Sequence, residues 1–347
     1  MNGRVPLTLA CWEYDRTAAL ASGEVRPEGV DLTYLSLPVE ETFFRMLRHR
    51  EFDAAEMSLS SYVISLNDPG APGGSGTRGA RGAGGAGPFI AIPVFPSRAF
   101  RHNGIYVNAE GGIMSPGDLR GRTVGLAEYQ LTANVWIRGI LAEHHGLPVG
   151  AVRYRTGGQH QPGRVAKVAH DLPPEIDIAP IPPDRTLADM LLTGEIDALY
   201  TPRTPLPFAQ RRPEVRRLFP DARAEEERYY RKTGIFPIMH VVVLRRDVYT
   251  ARPWLAQSLF KAFEEARQRA AARLAETAAS LDMLPWLYAE AERTRELMGP
   301  AWWTYGLAGN EAGLAAFLRY SREQGLARRH IEPAELFAPE TLESYVI

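Results

Sequence analysis

One cysteine stands among the 347 residues. Cys11 has no partner for an internal disulfide, as in a reducing compartment. Lying near the end of the apolar run VPLTLACW, it reads more readily as a small buried residue than as a nucleophile. Net charge is almost lacking, at −1, so no overall field draws phosphates and nucleic acid is not an expected partner. Arg211, Arg212, Arg216 and Arg217 are interleaved with acids and read as a solvated face. No apolar run is long enough to cross a bilayer. The start, MNGRVPLTLACWEYD, lacks a basic stretch followed by the roughly 7–15-residue apolar core of a signal peptide. A cytoplasmic protein without a membrane partner is therefore expected. Metal motifs are missing too: there is no Cys pair and no His-x-x-x-His, and the adjacent His144 and His145 diverge on a helix.

What is present is a chain that is 45% hydrophobic and long enough for two lobes, each with its own core. Residues 5–12 and 29–35 read as strands, and PVEETFFRMLRH places Val39, Phe43, Met46 and Leu47 on one helical face. FDAAEMSLSSYVISL returns to strand and then turns. The pattern restarts with AIPVF, the strand GRTVGL (121–126) and the helix TANVWIRGILAEHHG, with Thr132 suited to cap it and Gly146 to end it. LADMLLTGEIDALY reads as helix, glycine stop and strand, PIMHVVV as a long apolar strand, and the chain from Pro253 as mainly helical. Such alternation predicts an α/β fold with mostly parallel sheets. By contrast GAPGGSGTRGARGAGGAG (70–87) is half glycine without a large apolar side chain, which predicts a mobile surface loop. Its two arginines are too few for a nucleic-acid segment.

Two short passages are written twice. EYDRTA (13–18) returns as EYQLTA (128–133), and MLRHREFDAAE (46–56) is echoed by MLLTGEIDALY (190–200), in the same order. The shared order implies two lobes of similar plan. In open α/β sheets, ligands bind beyond the carboxyl ends of the strands, where helix N-termini present unpaired N–H groups and partial positive charge. With Thr17 and Thr132 as caps, two such turns facing one cleft would grip a ligand with two anionic groups. Two ordinary capped helices explain the same spacing equally well.

CWEYDRT, LPVEETFFRMLRHREFDAAEMSLSSY, AIPVFPSRAFRHNGIYVN and GIFPIMHVVVLRRDVY together resemble the 4,5-dihydroxyphthalate decarboxylase family, over nearly the whole chain. The glycine-rich segment is the departure, since the family pattern has only a short turn there. The resemblance implies a two-lobed fold like that of type II periplasmic binding proteins, with a ligand cleft and two hinge crossings near 104–108 and 236–243. Lobe one would be 1–104 plus 240–347 and lobe two 105–239. It further implies a carboxy-lyase that converts 4,5-dihydroxyphthalate to protocatechuate and carbon dioxide. A hydroxyl para or ortho to the leaving carboxylate can push charge into the ring, so the substrate stores the electrons and no organic cofactor is required. The protein must supply a base for the phenol, an acid for the ring carbon and cations for the carboxylate that stays.

On that resemblance the catalytic candidates are His240, His102 and Glu56. His240 interrupts an apolar strand and, without the resemblance, reads as a core residue; at a hinge crossing it becomes a titrating group. The substrate-binding candidates are Arg98, Arg16, Asp15, Tyr14, Ser58, Ser60, Thr132 and Arg203. Arg98 suits a bidentate carboxylate clamp, and Arg101 points elsewhere. Asp15 and Arg16 form an ion pair that the second copy of the turn, with Gln130 and Leu131, lacks; an exposed pair of little effect is the alternative. A serine-rich turn after Glu56 serves a ligand or only its own backbone. Trp302, Trp303 and Tyr305 read as packing for the C-terminal helices rather than as a lid. A divalent ion held by His102, His240 and Glu56 is the minor alternative to a metal-free site. Two rival functions fit the same plan: a ligand-binding protein without chemistry, and another enzyme such as those of menaquinone or pyrimidine-precursor synthesis. Subunit number is left open, a homo-oligomer included.

Overall fold

The computed structural model describes residues 3–67, 87–164, 172–278 and 282–342. The predicted glycine-rich loop lies outside these residues except for Gly87. Eleven strands occur among them: β1 (Val5–Cys11), β2 (Val30–Ser36), β3 (Ala54–Ser58), β4 (Phe89–Ile92), β5 (Ile105–Asn108), β6 (Thr123–Leu126), β7 (Arg153–Thr156), β8 (Ile178–Pro180), β9 (Ala198–Tyr200), β10 (Val215–Arg217) and β11 (His240–Arg245). They form two sheets, ordered β2-β1-β3-β11-β4 and β10-β5-β9-β6-β7-β8. Both are mixed: two of the four pairings are parallel in the first and three of the five in the second, so only the second is mostly parallel. In the first, β1 runs parallel to β2 and β3, while β11 returns antiparallel between β3 and β4.

The chain divides into two compact units. The first takes the chain up to Arg98, Ile238–Leu314 and the chain from Ile331; the second takes Ala99–Pro237 and Ala315–His330. Residues 315–330, grouped by the sequence reading with lobe one, thus belong to the second unit, because the helix Glu311–Glu323 packs Phe317 and Tyr320 against Trp136 there.

In the first unit, β1 carries Leu7, Leu9, Ala10 and Cys11 into the core, and all five residues of β3 are buried. Short helices follow the strands: α1 (Asp15–Ala21), α2 (Val39–His49) and α3 (Leu59–Ser65). In the second unit, α4 (Thr132–His145) is buried continuously from Thr132 to Leu141. Gly146 ends it at φ 64°, a left-handed cap that glycine adopts without a Cβ penalty. Both copies of the repeated passage therefore join a strand to a helix, one in each unit. The expected threonine caps are not formed. Tyr14 occupies the cap of α1 and Thr17 the third helical position, its Oγ1 accepting the Tyr14 N–H at 3.2 Å. Leu131 precedes α4, and Thr132 is its first residue.

Candidate active site

Strand register creates the central feature of the first unit. β11 pairs antiparallel with β3, placing His240 opposite Ser58 and Val242 opposite Glu56. Side chains two apart on a strand share a face, so His240 and Glu56 are diagonal neighbours across the ladder, with backbones ~7–8 Å apart. That gap suits two polar side chains meeting end to end. His240 Nδ1 lies 2.6 Å from Glu56 Oε1.

Glu56 is completely buried. Its Oε1 also accepts the Tyr14 hydroxyl proton at 2.7 Å, and its Oε2 accepts the Trp12 N–H at 3.0 Å and the Cys11 thiol at 3.6 Å. Burial alone pushes this carboxyl up. The hydrogen bond and charge of His240, with the Trp12 amide and the Tyr14 hydroxyl, outweigh burial and hold it below its ordinary value. Glu56 is therefore a carboxylate and can only accept. This assigns the proton to Nδ1 of His240; Nε2 makes no hydrogen bond among the described residues. His240 is 18% exposed, and the Phe43 ring stands edge-on to it at 4.9 Å. An imidazole oriented by a buried carboxylate, with its far nitrogen open, is the arrangement a proton-transfer group needs. Burial and then the charge of Glu56 raise both the Cys11 thiol and the Tyr14 hydroxyl, so both remain protonated donors. Cys11 is thus the buried apolar residue expected, with one weak polar task.

Arg16 adjoins this group through Tyr14. Its guanidinium lies 4.1 Å from the centre of the Tyr14 ring and 4.1 Å from that of Trp303. Nε donates to Pro96 O at 2.6 Å and Nη1 to Asp15 Oδ1 at 2.8 Å. Nη2 has no hydrogen-bond partner among the described residues, and the side chain is 17% exposed. Asp15 itself is largely solvent-facing.

Arg98, expected as the clamp, is turned inward within the first unit. Its Nη2 donates to Thr304 O at 2.8 Å and to Asn310 Oδ1, tying the 304–310 segment to the sheet. Ser58 caps α3, its Oγ accepting the Ser61 N–H, and Ser60 is buried in the first turn of that helix.

His102, Thr132 and Arg203 belong to the second unit. His102 is only 2% exposed. Its ring packs against Tyr229 at 5.3 Å, Phe219 at 5.6 Å and His145 at 6.4 Å, and Nδ1 has no hydrogen-bond partner among the described residues. Burial, then the neighbouring His145 and His144, push it down to about 4. Such surroundings keep the ring neutral and do not equip it for proton transfer. Thr132 is 5% exposed at the start of α4, and Arg203 sits on an exposed turn whose backbone is held by Thr201 and Gln159. Among the described residues, no group of three or more His, Cys, Asp or Glu side chains is arranged to hold a metal ion.

Sequence reading took Trp303 as packing for the C-terminal helices and not as a contact of Arg16, and it missed Phe43 and Cys11 as contacts of the His240–Glu56 pair. Apolar periodicity marked Phe43 only as core, and nothing local ties position 303 to position 16.

No family model matches the chain. Over 344 residues it is 39% identical to a 4,5-dihydroxyphthalate decarboxylase of Comamonas testosteroni, covering 99% of each sequence. Over 228 residues it is 40% identical to a 4,5-dihydroxyphthalate decarboxylase of Pseudomonas putida, covering 66% of this chain and 82% of that one. Among solved structures, the periplasmic sulfonate-binding protein SsuA of Methylobacillus flagellatus KT aligns with a TM-score of 0.55 at 13% identity, over 98% of this chain and 93% of its own. The periplasmic aliphatic sulphonate binding protein SsuA of Escherichia coli aligns at 0.50 and 14%, over 97% and 98%. At these identities the structural likeness bears on fold alone, and the fold is of the type II periplasmic-binding-protein kind.

Proposed function

The chain belongs to the 4,5-dihydroxyphthalate decarboxylase family, and on that premise we propose that it removes one carboxylate from a dihydroxylated aromatic dicarboxylate, 4,5-dihydroxyphthalate, releasing protocatechuate and carbon dioxide. The observation that carries the chemistry is the contact of His240 Nδ1 with the buried Glu56 carboxylate, which leaves His240 Nε2 open.

Once the hydroxyl para to the leaving carboxylate is ionised, its electron pair moves through the ring toward the carbon bearing that carboxylate. Protonated His240 gives its Nε2 proton to this carbon, forming a C–H bond and a ring ketone. The bond to the carboxylate then breaks, its electron pair restores the aromatic ring and the phenolate, and carbon dioxide leaves. One proton is consumed per turnover. Glu56 stabilises the imidazolium that donates it, while Cys11, Trp12 and Tyr14 hold Glu56 in place. The ring itself stores the electrons, so no organic cofactor is assigned a role.

The two carboxylates of the substrate are neighbours on the ring. Tyr14 connects Arg16 to the His240–Glu56 pair, its ring under the guanidinium and its hydroxyl on the Oε1 that His240 also contacts. This supports a binding mode in which Arg16 Nη2 holds the carboxylate that stays while the other lies at His240 Nε2. Asp15 orients Arg16, and Ser58 and Ser60 are candidates for the phenols and the retained carboxylate.

Purified protein incubated with 4,5-dihydroxyphthalate in heavy water should yield protocatechuate carrying one deuterium at the vacated ring position, read by mass spectrometry and proton NMR. Substrate that binds and is recovered unchanged would instead make this a binding protein without chemistry.

A further inference from the structure

The Arg16 guanidinium is held by its near neighbour Tyr14 and by two remote parts of the chain. Tyr14 precedes it on one ring face, the 95–96 segment lies beside it, and Trp303 supplies a second aromatic ring at the same 4.1 Å. The 95–96 segment serves both partners: Pro96 O accepts Arg16 Nε at 2.6 Å and Phe95 O accepts the Trp303 indole N–H at 3.1 Å. Trp303 is fixed again from behind, its carbonyl accepting Arg267 Nη1 at 3.0 Å. Arg98 secures the next residue through Thr304 O. Two aromatic faces attract a cation and limit it to one plane, and a guanidinium fixed in one plane loses little freedom when it meets a carboxylate. The edge left unused, Nη2, is the one with no hydrogen-bond partner among the described residues.

We propose that Trp303 is a positioning residue for substrate selection: it holds Arg16 edge-on to the retained carboxylate and so makes the site prefer aromatic carboxylates over neutral catechols. The proposal deepens the decarboxylase reading and rests on it for the identity of the ligand. Trp303 touches neither the reacting carbon nor His240 in this scheme, and its influence passes through Arg16.

Binding tests this apart from turnover, with phthalate, a dianion without the activating hydroxyls, and catechol, a neutral diol, as probes in isothermal titration calorimetry. Wild-type protein should bind phthalate more tightly than catechol. Trp303→Leu fills the space without a π face and should weaken phthalate about tenfold while moving catechol by less than about twofold. Trp303→Phe keeps a π face, loses only the indole hydrogen bond, and should stay within about threefold of wild type for phthalate. With 4,5-dihydroxyphthalate as substrate, the leucine variant should raise KM by the same factor and leave kcat nearly unchanged. The proposal is overturned if the wild type shows no preference for phthalate, if leucine weakens both probes alike, or if phenylalanine is as weak as leucine. A wild type that binds phthalate selectively yet turns nothing over would defeat the decarboxylase reading and leave the clamp standing.

Discussion

His240 and His102 are the same side chain in opposite settings. His240 lies on a β-ladder with a buried carboxylate at 2.6 Å and its other nitrogen open. His102 lies in a short turn of the second unit, boxed by Tyr229 and Phe219, with His145 and not a carboxylate as its polar neighbour. A carboxylate stabilises the imidazolium, whereas an aromatic box and a second histidine disfavour it. Position near a chain crossing does not give a histidine a carboxylate partner; the strand register that sets Glu56 against His240 Nδ1 does.

The sharpest way to break this comparison is to delete the two rings separately. His240→Ala should lower kcat about a hundredfold to ten-thousandfold, the usual range for a positioned proton donor, while phthalate binding stays close to wild type. His102→Phe preserves the aromatic box and should keep turnover within a few-fold of wild type at neutral pH. If steady-state kinetics showed both variants equally dead, the distinction between the two settings would be lost.

A second effect, of intermediate size, concerns acid stability. The folded-state value of His102, about 4, lies below its ordinary 6.5. Its unfolded form therefore binds more protons in that interval, so the associated stability is present above about pH 6.5 and is lost as pH falls toward 4. A shift of this size corresponds to roughly 3 kcal/mol. His144 and His145 are also held below their ordinary values, chiefly by burial, and act in the same direction. Urea unfolding between pH 7.5 and 4.5 should show the wild type losing stability steeply and His102→Phe losing less. Equal slopes would show that this ring is not the acid-sensitive element.

The smallest effect separates two arginines of the first unit. Arg98→Ala should cost about 1–3 kcal/mol of stability by leaving Asn310 Oδ1 without its guanidinium donor and Thr304 O with only the long contact from Asn310 Nδ2 at 3.4 Å. It should change KM far less than substitution of Arg16. A KM effect of Arg98→Ala as large as that of Arg16→Ala would restore Arg98 as the carboxylate clamp.

Much of the fold was legible locally. The apolar run 5–12 became β1, the glycine after α4 became its left-handed cap, and both repeated passages became strand-to-helix turns, because alternation, helical periodicity and glycine at positive φ are short-range constraints. The antiparallel return of β11 between β3 and β4 was not legible, since pairing partners far apart in sequence leave no local mark. The threonine caps failed for a local reason: the chain enters α1 two residues earlier than Thr17, with the Tyr14 N–H turned onto that hydroxyl. Arg98 and Arg16 look equally fit for a carboxylate in the sequence, and only the carbonyls around them separate a structural arginine from an available one.

By itself, the sequence determined the α/β plan, the doubled turn, the family, and the membership of His240, Glu56, Tyr14 and Arg16 in the set worth testing. Those properties reside in residue type and short-range pattern. Tertiary structure alone decided that His240 meets Glu56 while His102 meets aromatic rings, and that Trp303 covers Arg16. Each of these contacts joins residues tens to hundreds of positions apart, and the protonation of a histidine follows from what touches it rather than from what precedes it in the chain.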